Sequence, residues 1–179
     1  MSKLRIGIIG CGGIANNKHF PALSHFKEEC EIVGFCDVIE ERALKAAKEF
    51  GSADAKAYTD YTELLKDHSI DIVHVCTPNV SHSPITVAAF EAGKHVLCEK
   101  PMAHNTEAAQ KMMEAWRKSG KKFTVAYQNR FREEVQALHQ SCEREELGEI
   151  YFAKAHAVRR RAVPTWGVFP DKSQQGGGP

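Results

Sequence analysis

The chain has 179 residues, 42% hydrophobic and 26% charged, enough for one good domain or one domain and part of another. A formal net charge of +1 gives no nucleic acid or other polyanion a reason to bind. No stretch is long and apolar enough to cross a membrane, and the start reads as a strand and not a signal peptide, so the cytosol is the expected location.

In chain order, the apolar run Leu4 to Ile9 suits a buried central strand, with Arg5 as its one charge. Gly10-Cys11-Gly12-Gly13-Ile14-Ala15 follows at once. Gly10 permits a sharp exit from the strand, Gly12 leaves room for a diphosphate to approach the backbone, and Ala15 is small enough for a helix to pack on the strand. Gly13 and Ile14 bring in that helix, whose start offers unpaired N–H groups and a positive dipole end. The helix is expected to run to about Lys27, disturbed at Pro21, with Asn16 to His19 either near the cofactor or, preferred, on its solvated surface.

A second strand, Glu31 to Cys36, ends in Asp37, about 20 residues past the Gly-rich turn. An acid there accepts both adenosine ribose hydroxyls and repels a 2′-phosphate. Val38 follows it, not an Arg or Ser that could hold that phosphate, so NAD is preferred over NADP; Arg42 leaves NADP open. Ile39 to Phe50 reads as a helix with Leu44, Ala47 and Phe50 inward and Gly51 as its stop. Ala55 to Tyr58 is a short strand, and Asp60 with Glu63 opens a short helix. Asp71 to Cys76 is the fourth strand and runs straight into Thr77-Pro78-Asn79-Val80-Ser81-His82. Ser83 is expected to cap the next helix, with Pro84 in its first turn and Gly93 at its end. Lys94 to Cys98, the fifth strand, leads into Glu99-Lys100-Pro101. Asn105 or Thr106 opens a helix to Ser119, closed by Gly120, and Lys122 to Tyr127 is the sixth strand.

Strand and helix thus alternate through the chain, which predicts a Rossmann-type doubly wound α/β fold, a parallel sheet with helices on both faces. Ligands on such sheets lie beyond the carboxyl ends of the strands, where Gly10 to Ala15, Thr77 to His82 and Glu99 to Pro101 converge. The nucleotide domain is expected over 1–127. Residues 128–179 then begin something new: a charged helix from Phe131 to Leu147, and strand character from Glu149 to Arg161 that no later core-forming element covers. Six cysteines lack any Cys-x-x-Cys pair and nine histidines lack metal-site spacing, so no metal is expected and the thiols are expected to be reduced.

With these pieces placed, the sequence resembles the Gfo/Idh/MocA family of NAD(P)-dependent oxidoreductases. The residues that carry the resemblance are Gly10 to Ala15, Asp37, Thr77-Pro78-Asn79 with His82, Glu99-Lys100-Pro101, Arg130-Phe131 and Gly148-Glu149-Ile150, with Trp166 and the Gly-rich end also fitting. The resemblance implies an oxidoreductase that moves a hydride between nicotinamide and a secondary alcohol of a sugar, inositol or related polyol. It implies Lys100 as the catalytic residue, beside the nicotinamide and the substrate hydroxyl, with a Lys100–Pro101 bond that is often cis. Thr77, Pro78, Asn79, His82 and Glu99 are expected around the diphosphate, the ribose or Lys100. Tyr127, Arg130, His156 and Trp166 are substrate-side candidates; His156 and Arg159 should face opposite sides of the last strand.

Family members are longer than this chain. Their second half holds an open, mainly antiparallel sheet that often builds dimers or tetramers, and carries an Asp-x-x-x-His pair with the usual catalytic histidine. This chain stops where that pair would begin, so it is expected to be a part of such an enzyme. Two other readings stay open: a non-catalytic NAD(P)-sensing regulator on the same fold, and a truncated fragment that only binds NAD.

Overall fold

The computed structural model describes residues 2–158, 160, 165 and 167–176. Short apolar runs separated by helices pair side by side in parallel. β1 (Leu4–Ile9), β2 (Cys30–Cys36), β3 (Lys56–Tyr58), β4 (Ile72–Val75), β5 (His95–Cys98) and β6 (Phe123–Val125) form one six-stranded sheet in the order β3-β2-β1-β4-β5-β6. Every pairing is parallel. The order reverses between β1 and β4, and that reversal opens a crevice at the carboxyl edge of the sheet.

Alternation along β1 divides the core. Ile6 and Ile8 point to one face with Phe20, Phe35, Ala43 and Ala46; Ile9 points to the other with Val33, Leu64, Ile70, Val73 and Met112. On the first face Phe20 stacks on Phe50 with centroids 4.7 Å apart. On the second, Gly7 and Gly34 pair in register beyond a bulge in β2. A Cβ at either would come within 3.0 Å of Leu64 or Ile70, so the missing side chains let that layer press onto the sheet. Arg5, the charge in β1, reaches out of the sheet to Glu31 at 2.5 Å and Asp54 at 2.6 Å. Lys94 is buried, and its Nζ donates to Asp67 O at 2.7 Å and Ile70 O at 2.9 Å, closing the turn before β4.

The helices depart from the sequence reading in three places. The first is shorter: a π-helical turn, Ala15–His19, leads into α1 (Phe20–Ser24). Pro21 falls in the first turn of α1, where its missing N–H costs nothing, and the irregular turn lies before it. In α2 (Glu40–Phe50) Ala43 and Ala46 are buried, Ala47 and Phe50 pack partly buried on the same core as expected, and Leu44 is exposed, turned off that face. α3 (Tyr61–Leu65) starts from Asp60, whose side chain accepts from Thr62 N. α4 (Asn79–Glu91) begins five residues earlier than expected, at the residue after Pro78. Ser83 therefore lies inside α4, and its hydroxyl donates to Ala108 O of α5 (Thr106–Ser119), which Asn105 caps and Gly120 closes in the left-handed region.

Beyond β6 come a 3₁₀ turn, Gln128–Phe131, and α6 (Glu133–Glu143). The strand expected from Glu149 is not formed: residues 150–158 have no regular structure and are exposed, Tyr151 and Val158 almost fully. A strand exists through its partners, and no described segment lies beside this one to supply them. α7 (Lys172–Gln175), capped by Asp171, returns to the start of α4, where Asn79 Nδ2 donates to Gln175 O. Among the described residues no helix is long and apolar enough to cross a membrane, and no cluster of acids, histidines and cysteines is arranged for a metal. All six cysteines are free thiols.

Candidate functional site

The site lies where β1, β2, β4 and β5 end together. Gly10 N donates to Cys36 O, Cys76 N to Ile9 O, and Glu99 N to Val75 O, so the sheet ladder carries the four strand exits to one edge. Gly10 turns the chain with φ +95°; a Cβ there would stand 2.6 Å from Cys76 O. No other residue type fits this crossing of β1 over the end of β4. Gly12 differs: nothing lies within 4 Å of the Cβ it lacks, and the nearest atom to that of Gly13 is 4.0 Å away. The loop therefore holds an open cradle of backbone. Asn16 shapes it, its amide donating to Cys11 O and Gly12 O, both at 2.8 Å. Ile14 stands at the helix start, more than a third exposed.

Asp37 fastens the cradle from the next strand. Its Oδ2 accepts from Cys11 N and its Oδ1 from Ile39 N, both at 2.9 Å. Each oxygen keeps a further lone pair for an outside donor. Burial, and then the charge of Asp37, pushes the Cys11 thiol up to about 12, so it stays protonated and unreactive. Across the crevice Thr77 follows β4. Its Oγ1 is buried and has no partner among the described residues; Pro78 sets the entry to α4, and Asn79 spends its amide on Gln175.

His82 is nearly fully buried. Its Nδ1 lies 2.7 Å from Pro101 O and its Nε2 2.9 Å from Thr77 O. Both ring nitrogens face backbone carbonyls. His82 ties the turn after β4 to the turn after β5.

Glu99 ends β5 and is also buried. Its Oε2 accepts from Lys100 N at 3.1 Å, and its Oε1 lies 3.0 Å from His19 Nε2. Burial alone would raise its carboxyl; the hydrogen bond from His19, with the N–H and charge of Lys100, holds it below the usual range. Lys100 itself is exposed, and the Lys100–Pro101 bond is cis. With Tyr127, Gln128, Asn129 and Arg130 it lines a hollow beside the crevice. His156, exposed in an irregular stretch, is not among those residues. Trp166 and Arg159 lie outside the described residues.

Two buried histidines, His19 and His74, take places that the sequence alone does not assign. His19 was expected on a solvated surface but is buried, its Nδ1 3.0 Å from His74 Nδ1. Burial pushes His74 down to about 3, so its ring is neutral. The signals were present: His19 lies one turn beyond Ala15 on the inward side, and His74 is the only polar residue in the run Ile-Val-His-Val.

An open Gly-rich cradle, an acid with spare lone pairs and an orphaned buried hydroxyl suit a dinucleotide: diphosphate at Gly12 and Gly13, adenosine ribose at Asp37, a polar group at Thr77.

Comparison with known proteins agrees. A family model described as "Oxidoreductase family, NAD-binding Rossmann fold" (GFO_IDH_MocA) matches residues 4–127. The D-glucoside 3-dehydrogenase of Escherichia coli is 39% identical over 180 residues, covering 99% of this chain and 50% of that protein. The aldose-aldose oxidoreductase of Caulobacter crescentus, solved with glycerol, superposes with a TM-score of 0.81 at 25% identity, over 99% of this chain and 53% of that one. The WlbA dehydrogenase of Bordetella pertussis, solved with NADH and UDP-GlcNAcA, gives a TM-score of 0.77 at 29% identity, over 84% of this chain and 45% of that one. This chain spans about half the length of the curated relatives it matches.

Proposed function

This chain belongs to the Gfo/Idh/MocA oxidoreductase family, and from that premise we propose that it forms the cofactor-binding part of a dehydrogenase that oxidises a secondary alcohol of a sugar, inositol or related polyol. The observation that carries the reading is the convergence at one sheet edge: the cradle at Gly12, the Asp37 carboxylate and the Thr77 hydroxyl, unpartnered among the described residues, follow the ends of neighbouring strands, and Lys100 stands exposed after the next one. The relatives are named dehydrogenases and oxidoreductases of sugars, which favours an enzyme over a sensor. Residues 1–127 are the nucleotide domain, and 128–179 lead into the part that completes the substrate site and supports self-association.

Bound nicotinamide would supply the hydride chemistry. This chain's residues do the rest. The Gly12 and Gly13 backbone and the helix start receive the diphosphate. Asp37 accepts ribose hydroxyls and disfavours a 2′-phosphate, which makes NAD the preferred cofactor over NADP. Lys100 reaches the alcohol oxygen, orients it and handles the proton that leaves it on oxidation. Tyr127 and Arg130 stand on the same side of Lys100 and face the substrate.

The test is NADH formation by the protein with NAD and a panel of glucosides, free sugars and inositols. Turnover with at least one polyol is expected, with loss of about a hundredfold in kcat in Lys100→Ala. No turnover across the panel, or an unimpaired Lys100→Ala, would refute the reading.

A further inference from the structure

We propose that His74, His19 and Glu99 form a buried chain that positions Lys100; the proposal rests on the reading of Lys100 as the residue that reaches the alcohol. The members come from segments far apart in sequence: the turn after β1, the middle of β4 and the end of β5. Each is buried, with 7% to 9% of its surface exposed. Polar side chains are expensive to bury unless each meets a partner, and an apolar set would fill the same space without that cost. Here each does meet one: His74 Nδ1 and His19 Nδ1 at 3.0 Å, His19 Nε2 and Glu99 Oε1 at 3.0 Å, Glu99 Oε2 and Lys100 N at 3.1 Å.

The hydrogens order themselves along the chain. A carboxylate only accepts, so His19 carries its hydrogen on Nε2 and donates to Glu99. With His19 neutral, its Nδ1 is the acceptor, and His74 donates to it from Nδ1. His74 thereby fixes the tautomer of His19, as a partner on the far nitrogen of a histidine does. Without it, His19 is free to turn a lone pair toward Glu99.

Lys100 is the residue that gains from this order. Glu99 N makes the last ladder bond of β5, to Val75 O. Lys100 N is the first donor past the sheet, and Glu99 Oε2 is its acceptor. On the other side of Lys100, Pro101 O meets His82 Nδ1. The backbone of Lys100 is thus fastened from both sides by buried side chains, at the point where the sheet no longer holds it. His19, His74 and Glu99 are positioning residues; none of them need touch substrate.

Nitrogen-15 NMR of histidine-labelled protein, with and without NADH, reads the tautomers directly. His19 protonated on Nε2 alone and His74 on Nδ1 alone is the expected result, with the His19 signal becoming a mixture in His74→Phe. In kinetics, His74→Phe and Glu99→Gln should lower kcat about tenfold while KM for the polyol and the Kd for NADH stay within about twofold. His19→Gln, whose amide can donate to Glu99 and accept from His74, should keep kcat within about threefold of wild type. A hydrogen on His19 Nδ1, or variants that shift Kd and melting temperature while leaving kcat alone, would overturn the chain. If Lys100→Ala turned over normally, the role of Lys100 would fall and the proposal with it, whatever the tautomers. An inactive Lys100→Ala with the wrong tautomers would refute the chain alone.

Discussion

Gly10 and Gly12 stand two residues apart in one turn, yet alanine at each should do opposite things. Alanine at position 10 meets backbone: its Cβ would lie 2.6 Å from Cys76 O and 2.7 Å from Cys76 C, at φ +95°. Neither atom can move without breaking the ladder between β1 and β4. The left-handed conformation costs about 1–2 kcal/mol for a residue with a Cβ, and the overlap about 1–3 kcal/mol more. Together that is about 2–5 kcal/mol, and at about 2–4 °C per kcal/mol for a chain of this size the melting temperature of Gly10→Ala should fall by about 4–20 °C. Alanine at position 12 meets nothing within 4 Å, so Gly12→Ala should melt within about 2 °C of wild type. Its methyl group, however, occupies the place where a diphosphate would approach the backbone. NADH affinity should fall at least about tenfold, or about 1.4 kcal/mol. Differential scanning calorimetry and NADH fluorescence titration on the two variants separate fold from site. A Gly12→Ala protein that melts as early as Gly10→Ala, or that binds NADH as wild type does, would refute the assignment of the open cradle.

Asp37→Asn leaves an NH₂ facing Cys11 N or Ile39 N and removes the charge that rejects a 2′-phosphate. Competition titrations should show NADH binding about tenfold weaker and its preference over NADPH reduced. His74, held at about 3 in the fold against 6.5 outside it, makes the unfolded chain bind more protons between those values. Its contribution is complete above pH 6.5 and is lost on acidification, about 1.4 kcal/mol for each pH unit below 6.5 until about 3. Urea unfolding across this range should show that slope, and His74→Phe should flatten it. Lys94→Met strips the donors from Asp67 O and Ile70 O; a loss of about 1–3 kcal/mol in urea unfolding is expected, with NADH affinity unchanged.

The sheet was legible because buried parallel strands read as apolar runs and because Gly10, Asp37, Thr77 and Lys100 all sit at strand ends, where topology alone gathers them. What stayed hidden depends on contacts between distant segments. Leu44 fits an inward face by helical spacing, but Ala43, Ala46, Ala47 and Phe50 take that face of α2 and Leu44 falls outside it. Ser83 resembles a helix cap, yet Pro78 already supplies the turn and the hydroxyl serves α5 instead. The two carbonyl partners of His82 come from two separate turns, which its spacing in the sequence does not reveal. His19 and Glu99 are 80 residues apart, and no periodicity links them. The exposed apolar run from Ile150 to Val158 reads as a strand because composition reports what a segment could pair with, not whether a partner lies beside it.

Calorimetric titration of the protein with NADH and with NADPH tests the central claim most directly. One NADH site per chain, tighter than the NADPH site and abolished with the fold intact in Gly12→Val, is the predicted result. No dinucleotide binding, or binding that Gly12→Val leaves untouched, would contradict the placement of the cofactor at the β1–β4 crevice.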